Sequence, residues 1–455
     1  MSGPGAGRSL DGAGAARARA AERLEPRPMT LTTLRATAAL GLCTALLAAG
    51  CAAAPSTPAP AQATPTGAFA SGIDRGAKVT QLSASFVTTP EPVAMTDGKV
   101  HLTYELVLTN VAPAPVRVDG VELHDAATSA LVPGTTGRVD LTPLQVGAEA
   151  EGAEGVSQPG PGNTSVTIAP TTTYVAWVDV VFPQRNAVPA TIEHVVSGAV
   201  LAPGAPPAPI RMRLGRTNPA TAGPIVVGAP VPAGTWYMSE GCCADDTHHR
   251  RGMEPVNGVL EVPNRYAIDF YKLDDQQRTW VGDPSRLDSY LSYRQPILSA
   301  TAGTVVAAQD GLANSAEVPN PTNLATVGET VGNHVIVQVS DGVHVLYAHM
   351  DPGSVAVRVG DRVTRGQQLG LIGSSGISTT PHLHFQILTT PTYFPADSRP
   401  YAFDSFTLLG HVPVRLWDDN LGLQPTGALP FRPANPASAR TNELPLDRDV
   451  VRFGP

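Results

Sequence analysis

The stretch Thr379-Thr380-Pro381-His382-Leu383-His384-Phe385 places two histidines on either side of a leucine, directly after a proline. A strand that begins after the proline would project His382 and His384 from one face, because successive side chains of a strand alternate between its two faces. Leu383 and Phe385 would then point into a core. At the usual rise per residue, the two imidazoles would lie about 7 Å apart along the strand, so they can serve one reaction centre. One ring would bind a metal ion, and the other would polarise water or the substrate.

Two candidate strands upstream carry further polar residues that suit such a centre. His349 ends an apolar strand on the face opposite His344, which is therefore interpreted as structural. Asp269 shares one strand face with Arg265, while the alternate residues are apolar. A lone carboxylate among apolar neighbours requires a cation or hydrogen-bond donors. Zinc accepts carboxylate and imidazole ligands, and at catalytic sites it usually keeps one position open for water.

Taken in order, these strands resemble the core of the lysostaphin/LytM-type (duplicated-hybrid-motif) zinc metalloendopeptidases, which cut cross-bridges or stem peptides in bacterial peptidoglycan. The resemblance covers roughly residues 260–390 and includes several glycine-rich hairpin segments. It implies an antiparallel β-sheet peptidase core with one zinc ion. Asp269 and His384 would be zinc ligands. His349 and His382 would act as general base and electrostatic partner, activating water or stabilising the tetrahedral intermediate.

The chain departs from this family at the first metal ligand. The family places a histidine four residues before the aspartate, where this chain has Arg265, and a guanidinium has no lone pair to offer a metal. In one interpretation His249, preferred over His248, replaces the ligand by reaching across a hairpin whose turn is Asn257-Gly258. In a second, the domain is degenerate and non-hydrolytic. In a third, the histidines are ordinary, hydrogen-bonded strand residues.

The region before this core has the pattern of a small β domain. From Val100 to Leu108 every second residue is apolar, which predicts a half-buried strand. Further strands are predicted at 79–87, 116–123, 172–182 and 191–201, with a mobile loop at 146–164. The spacing is typical of an immunoglobulin-like β-sandwich over residues 76–202, used as a spacer or interaction module. The histidines in this region, His101, His124 and His194, are assigned no role.

Proline-rich segments divide the rest of the chain. Residues 203–233 are interpreted as a linker, 234–423 as the peptidase domain and 424–455 as an irregular tail. Glycine and proline number 44 each, and aromatic residues make up only 5%, which favours short strands and many turns over long helices. The predicted fold class is therefore all-β: a sandwich followed by an antiparallel sheet.

The N-terminus predicts export. A basic residue followed by a short apolar run indicates a signal peptide over residues 1–51, whose true start is placed at Met29 as an alternative to Met1. The run ends in a lipobox-like stretch at Cys51, whose thiol would be acylated; an ordinary secretory signal is the alternative. Residues 52–75 form a Pro/Ala-rich tether. Cys242 and Cys243, which are adjacent, are interpreted as structural.

These features predict a cell-envelope protein. The formal net charge of −8 and the scattered basic residues exclude a nucleic-acid-binding surface. The expected function is a lipid-anchored, extracytoplasmic metalloendopeptidase that hydrolyses peptide bonds of peptidoglycan. The alternative is a degenerate domain that binds the cell wall or regulates a partner wall hydrolase.

Overall fold

The computed structural model describes residues 78–133, 140–143, 165–243, 247–315, 327–378, 380–413 and 428–454. All of them belong to one compact unit that begins at Gly76. The predicted signal peptide, Met29, Cys51, the tether and the predicted loop at 146–164 lie outside the described residues. No helix in the described part has the length and hydropathy of a membrane span.

Two antiparallel sheets form the N-terminal part. Their strands are β1 (Leu82–Phe86), β2 (Pro92–Ala94), β3 (Val100–Asn110), β4 (Val116–Asp125), β5 (Asp140–Pro143), β6 (Val166–Ile168), β7 (Thr173–Phe182), β8 (Ile192–Val200) and β9 (Ala208–Thr217). One sheet has the order β1-β3-β7-β5, with β2 beside β3, and the other has the order β6-β4-β8-β9. Leu102 and Tyr104 of the first sheet share one apolar core with Val121 and Val196 of the second. The pair is thus a β-sandwich; its immunoglobulin-like topology stays a prediction.

Strand β3 is buried on both faces, whereas the sequence predicted one solvated face. Its even-numbered residues fill the sandwich core, and the odd-numbered His101, Thr103 and Glu105 are also buried, Glu105 fully. The polar face is covered because the C-terminal part of the chain packs against it: the Tyr266 hydroxyl donates to the Thr103 carbonyl at 3.2 Å. Alternation of apolar and polar residues shows that the two faces of a strand have different surroundings, but not that the polar face meets water. The polar face of β3 lies in a polar interface.

His194 lies inside the sandwich as a neutral, fully hydrogen-bonded side chain. Its Nδ1 donates to the Gly215 carbonyl at 2.9 Å, and its Nε2 accepts from the Tyr104 hydroxyl at 2.7 Å. Burial lowers the pKa of His194 to about 4, from an ordinary value of 6.5. The unfolded chain therefore binds this proton first as the pH falls. The contribution of His194 to stability is complete above pH 6.5 and is lost as the pH falls toward 4.

We therefore expect His194→Gln to flatten the acid dependence of stability. Between pH 7 and pH 4 the wild-type chain should lose about 3 kcal/mol more unfolding free energy than the variant, which follows from the difference in pKa between the unfolded and folded states. Urea unfolding at a series of pH values measures this difference. Equal slopes for the two proteins would show that His194 does not titrate in this window.

The C-terminal part is built on one large antiparallel sheet. Its strands, the smaller ladders around it and one short helix are β10 (Ile225–Val227), β11 (Gly234–Ser239), α1 (His248–Arg251), β12 (Glu254–Val256), β13 (Val259–Glu261), β14 (Ile268–Leu273), β15 (Pro296–Leu298), β16 (Gly303–Gln309), β17 (Asn333–Ser340), β18 (Val343–Met350), β19 (Arg362–Val363), β20 (Gln368–Leu371), β21 (Leu383–Leu388), β22 (Ser398–Arg399), β23 (Tyr401–Phe403), β24 (Phe406–His411), β25 (Arg432–Arg440) and β26 (Asp449–Phe453). Short 3-10 turns lie at Arg185–Ala187, Leu287–Ser289 and Val327–Val331.

The order of the large sheet, among the described residues, is β19-β16-β17-β18-β21-β14-β11-β26-β24-β25, with β22 beside β21. The strands that carry the sequence-predicted site, β18, β21 and β14, are therefore neighbours at its centre. Phe270 and Phe385 point into the apolar core beneath the sheet, as the alternation predicted, with ring centroids 6.0 Å apart. The opposite face of these strands carries the polar residues.

Two predicted boundaries are wrong. The predicted linker 203–233 contains strand β9, which completes the second sandwich sheet, and strand β10. The predicted irregular tail contains β25 and β26, and β26 pairs with β11 inside the large sheet. Proline-rich composition misled the prediction because β9 and β25 are edge strands, where a missing N–H leaves no ladder hydrogen bond unmade.

Candidate metal and catalytic site

Three imidazoles surround the carboxylate of Asp269. The register of β14 with β21 places Asp269 opposite His384, and the Asp269 Oδ1 to His384 Nδ1 distance is 3.0 Å. The other oxygen, Oδ2, lies 3.3 Å from His382 Nε2 and 3.8 Å from His249 Nε2. The structure thus brings together residues that are up to 135 positions apart in the sequence.

His349 completes the group from strand β18. Its ring centroid lies 4.8 Å from that of His382 and 5.6 Å from that of His384. The strand is irregular here, since its register with β17 shifts next to His349, whose φ of 60° is left-handed and uncommon for a non-glycine residue. The irregularity turns the ring toward the other histidines. His344, on the same strand, instead lies opposite Leu388.

Backbone carbonyls fix the orientation of three rings. Nδ1 of His249 donates to the Glu240 carbonyl at 3.1 Å, Nδ1 of His349 to Ser375 at 2.8 Å and Nδ1 of His382 to Thr380 at 2.7 Å. Because a carbonyl can only accept, Nδ1 carries the proton in each ring and Nε2 keeps its lone pair. In His249 and His382 that lone pair faces Asp269.

His384 is held in the opposite orientation by a residue that the sequence analysis missed. Its Nε2 donates to Gln386 Oε1 at 2.5 Å, and the Gln386 amide donates in turn to the Pro263 carbonyl at 2.8 Å. This chain of hydrogen bonds orients the ring so that Nδ1 of His384 faces Asp269. The signal was present in the sequence, because Gln386 follows His384 by two residues on the same strand face.

A turn at residues 373–376 supplies the acceptor for His349. Ser375 accepts through its carbonyl, while its hydroxyl donates to the Met350 carbonyl at 2.8 Å. Gly376 has a φ of 76°, and a Cβ there would come within 2.4 Å of the Gly332 nitrogen. The glycine therefore lets two turns approach closely enough to hold the ring.

Burial and mutual interactions shift the pKa values of Asp269 and of three of the histidines. Burial lowers the pKa of His249 and of His349 well below 6.5, and it lowers that of His382 against the opposing attraction of Asp269. Burial alone would raise the pKa of Asp269, but the surrounding His382, His249 and His384 outweigh it and hold that pKa well below 3.8. The Asp269 carboxylate is therefore stabilised in its charged form, while burial disfavours the charged form of His249, His349 and His382.

Arg265 lies outside this pocket. Its guanidinium is fully buried and bonds the carboxylate of Glu105 on the sandwich, with Nε 3.0 Å from Oε1 and Nη2 2.6 Å from Oε2. Its Nη1 lies 2.8 Å from Asp397 and donates to the Ser398 carbonyl. Burial opposes the charge, but Asp397 and Glu105 raise the pKa of Arg265 above its ordinary value. The departure from the family pattern therefore does not place a cation among the candidate ligands.

Helix α1 brings histidines to Asp269, where the family pattern would have placed the histidine that Arg265 replaces. Thr247 caps this four-residue helix by accepting from the Arg250 amide, and His249 points inward while His248 is partly exposed. A ligand atom of His248, one of His249 and one of Asp269 all lie within 4.8 Å of one another. The turn Asn257-Gly258 joins β12 to β13, as predicted, with both φ values positive. His249 rather than His248 has the buried, carbonyl-held geometry of a ligand.

The chemistry of this donor set fits a zinc ion. Three ring nitrogens face one buried carboxylate, and a cation bound between them would interact favourably with both kinds of group. Zinc accepts both carboxylate and imidazole ligands, and Asp269 has ring nitrogens of His384 and His249 at 3.0 and 3.8 Å from its two oxygens. Asp269, His384 and His249 would hold the ion, with His349 and His382 beside them.

A buried group of histidines around an aspartate, on an antiparallel sheet, can hold a divalent metal ion. Residues 286–394 match the family model described as Peptidase family M23, so the chain carries an M23 peptidase domain. The matched segment contains His349, His382 and His384, whereas Asp269 and His249 precede it.

Similar proteins match over short segments. The chain is 48% identical over 58 residues to the glycyl-glycine endopeptidase ALE-1 of Staphylococcus capitis, which is 13% of this chain and 16% of that protein. It is 37% identical over 57 residues to the peptidoglycan DD-endopeptidase ShyA of Vibrio cholerae, 12% of this chain and 13% of that protein. The chain thus spans about a sixth or less of the length of these relatives. The catalytic domain of lysostaphin from Staphylococcus simulans, a solved structure, is 26% identical, with 32% of this chain and 80% of that chain covered and a TM-score of 0.19.

Proposed function

We propose that the chain is a zinc metalloendopeptidase that hydrolyses peptide bonds of peptidoglycan. The observation that carries the proposal is the group of four imidazoles at Asp269, three of them with a ring nitrogen within 3.8 Å of its carboxylate oxygens. Cell-wall endopeptidases among the relatives support the substrate class. The partner is therefore a peptide of the cell wall, and the required cofactor is one zinc ion.

In the proposed reaction the metal ligands and the two remaining histidines have different roles. A bound zinc ion would act as a Lewis acid toward the scissile carbonyl and toward water. His349 and His382 lie beside the proposed ligands, each with its Nδ1 held by a backbone carbonyl, which suits one ring to take the proton of the attacking water and the other to stabilise the developing oxyanion. Tyr271 stacks on His382 at 5.2 Å and restricts its tilt. The backbone carbonyls hold each ring in the tautomer that this requires.

A non-hydrolytic wall-binding or regulatory domain is the second candidate. It is favoured by the burial of the site, because none of the five residues is more than 5% exposed. Zinc content of the purified protein and release of soluble muropeptides from peptidoglycan distinguish the two. One zinc per chain with muropeptide release supports the enzyme, and zinc binding without any release supports the second candidate and a wall-hydrolase partner.

The replaced ligand gives a prediction of its own. We expect His249→Ala to weaken zinc binding at least tenfold, because two remaining protein ligands hold zinc poorly. His344→Ala should leave zinc affinity unchanged, since His344 lies at the opposite end of β18. Competition with a chromophoric chelator measures both. Equal affinities of the two variants would remove His249 from the ligand set.

The location that we propose is the cell envelope, with the chain exported and attached to the membrane through lipid on Cys51. The support is the lipobox-like sequence around Cys51. We expect Cys51→Ser to move the protein from the membrane fraction to the soluble fraction, as judged by immunoblotting. Retention of the variant in the membrane fraction would contradict acylation at this residue.

A further inference from the structure

One carboxylate from the sandwich binds both segments that carry the replaced metal site. Glu105, on β3, is fully buried. Its Oε1 accepts from Arg250, and both of its oxygens accept from Arg265. Arg250 follows His249 directly, and Arg265 precedes Asp269 by four residues.

The segment that carries His249 has little support of its own. Helix α1 has four residues, which is too short to be stable in isolation. Residues of the sandwich hold it in place: Arg250 donates to the Tyr104 and Val178 carbonyls at 3.1 and 3.3 Å, and the guanidinium carbons of Arg250 and Arg251 lie 4.9 and 4.8 Å from the Trp177 ring. The position of His249 is therefore set from the sandwich side.

The strand that carries Asp269 is tied to the same point. Ladder hydrogen bonds to β21 fix β14, and Arg265 joins this strand's entry to Glu105 and to Asp397. Glu105 thus connects helix α1, which is held mainly by contacts with the sandwich, to strand β14, which is fixed in the large sheet. This connection sets how far His249 lies from Asp269.

We propose that Glu105 is a positioning residue for zinc binding, and that the sandwich is part of the metal site. The proposal rests on the proposed function in so far as it requires zinc. It explains the departure at Arg265: the arginine serves as the anchor for a sandwich carboxylate, and the same carboxylate places the substitute ligand. The sandwich then has a role beyond that of a spacer.

The test measures zinc affinity of the full chain by chelator competition. Glu105→Gln keeps the size of the side chain but offers one acceptor oxygen in place of two and no counter-charge for two guanidinium groups. We expect zinc binding to weaken at least tenfold. Glu91→Gln is the control, because Glu91 also accepts from an arginine, Arg399, at 3.0 and 2.9 Å, but binds neither Arg250 nor Arg265 in the contacts described above. This control should change zinc affinity less than twofold.

A second variant covers the case in which Glu105→Gln does not fold. Arg250→Lys keeps the charge but cannot reproduce the bonds to Glu105, Tyr104 and Val178 together, and it should also weaken zinc binding at least tenfold. Unfolding midpoints measured with a chelator separate this effect from a structural one, since a purely structural role would lower the midpoint of the zinc-free protein without changing zinc affinity. Wild-type affinity in a folded Glu105→Gln or Arg250→Lys variant overturns the proposal and leaves the zinc enzyme intact. A wild-type chain that binds no zinc overturns both.

Discussion

Replacement of His382 by alanine is expected to lower the rate of peptidoglycan hydrolysis by about 10² to 10⁴, the usual range for a proton-transfer or oxyanion-stabilising group. The reason is geometric. His382 directs Nε2 into the site beside His349, but Asp269, His384 and His249 remain as a complete ligand set. The variant should therefore keep its zinc. Release of soluble muropeptides and zinc content per chain, measured on the same preparation, check both parts.

The matched control for this experiment is His411→Ala. His411 is an exposed histidine at the end of β24, and its removal should change neither the rate nor the zinc content. If His382→Ala hydrolyses peptidoglycan at the wild-type rate, the ring takes no part in the reaction. If the variant loses zinc together with activity, His382 is a metal ligand, and the proposed division between ligands and catalytic histidines is wrong.

Replacement of Arg265 by methionine is expected to cost about 3–5 kcal/mol of unfolding free energy, because removing one partner of a buried ion pair leaves uncompensated charge. Glu105 and Asp397 would both lose this cation. Burial raises the pKa of Asp397 even with Arg265 present, whereas Arg265 and Arg250 outweigh burial at Glu105 and lower its pKa. Urea unfolding in the presence of a chelator measures the loss without a contribution from zinc.

Arg117→Met is the control for Arg265. Arg117 forms an exposed ion pair with Asp119 at 2.7 Å, and such pairs contribute little because water and salt screen them. We expect its unfolding free energy to stay close to that of the wild type. A loss for Arg265→Met as small as that of this control would mean that the buried network does not hold the sandwich and the peptidase sheet together.

Local patterns were sufficient to predict the centre of the site. Alternation along a strand identified His382 and His384 on one face and Leu383 and Phe385 on the other, and the structure has this arrangement. That Asp269 and His384 belong together was implied by the family resemblance, and the register of β14 with β21 places them opposite each other. The all-β class and five of the sandwich strands were likewise predicted from period-two patterns and turn residues.

Local patterns could not predict the contacts between the sandwich and the C-terminal part. Glu105 meets Arg250 across 145 residues and Arg265 across 160, and no periodicity in either segment reports a partner so distant. The burial of both faces of β3 has the same cause. Gln386 could have been found from its spacing to His384, but a neutral amide on a strand carries no chemical signature until its partners are known.

Strand β26 lies between β11 and β24, although it comes last among the described strands. A fragment that ended before residue 449 would leave the backbone of β11 as an open edge, next to the strand that bears Asp269. Open edges of this kind pair with other chains and cause aggregation. During synthesis the centre of the sheet can therefore be completed only after β26 has been made. We expect a truncated or clipped product to be insoluble rather than partly active. Solubility of a chain shortened to residue 448 is a direct assay of this dependence.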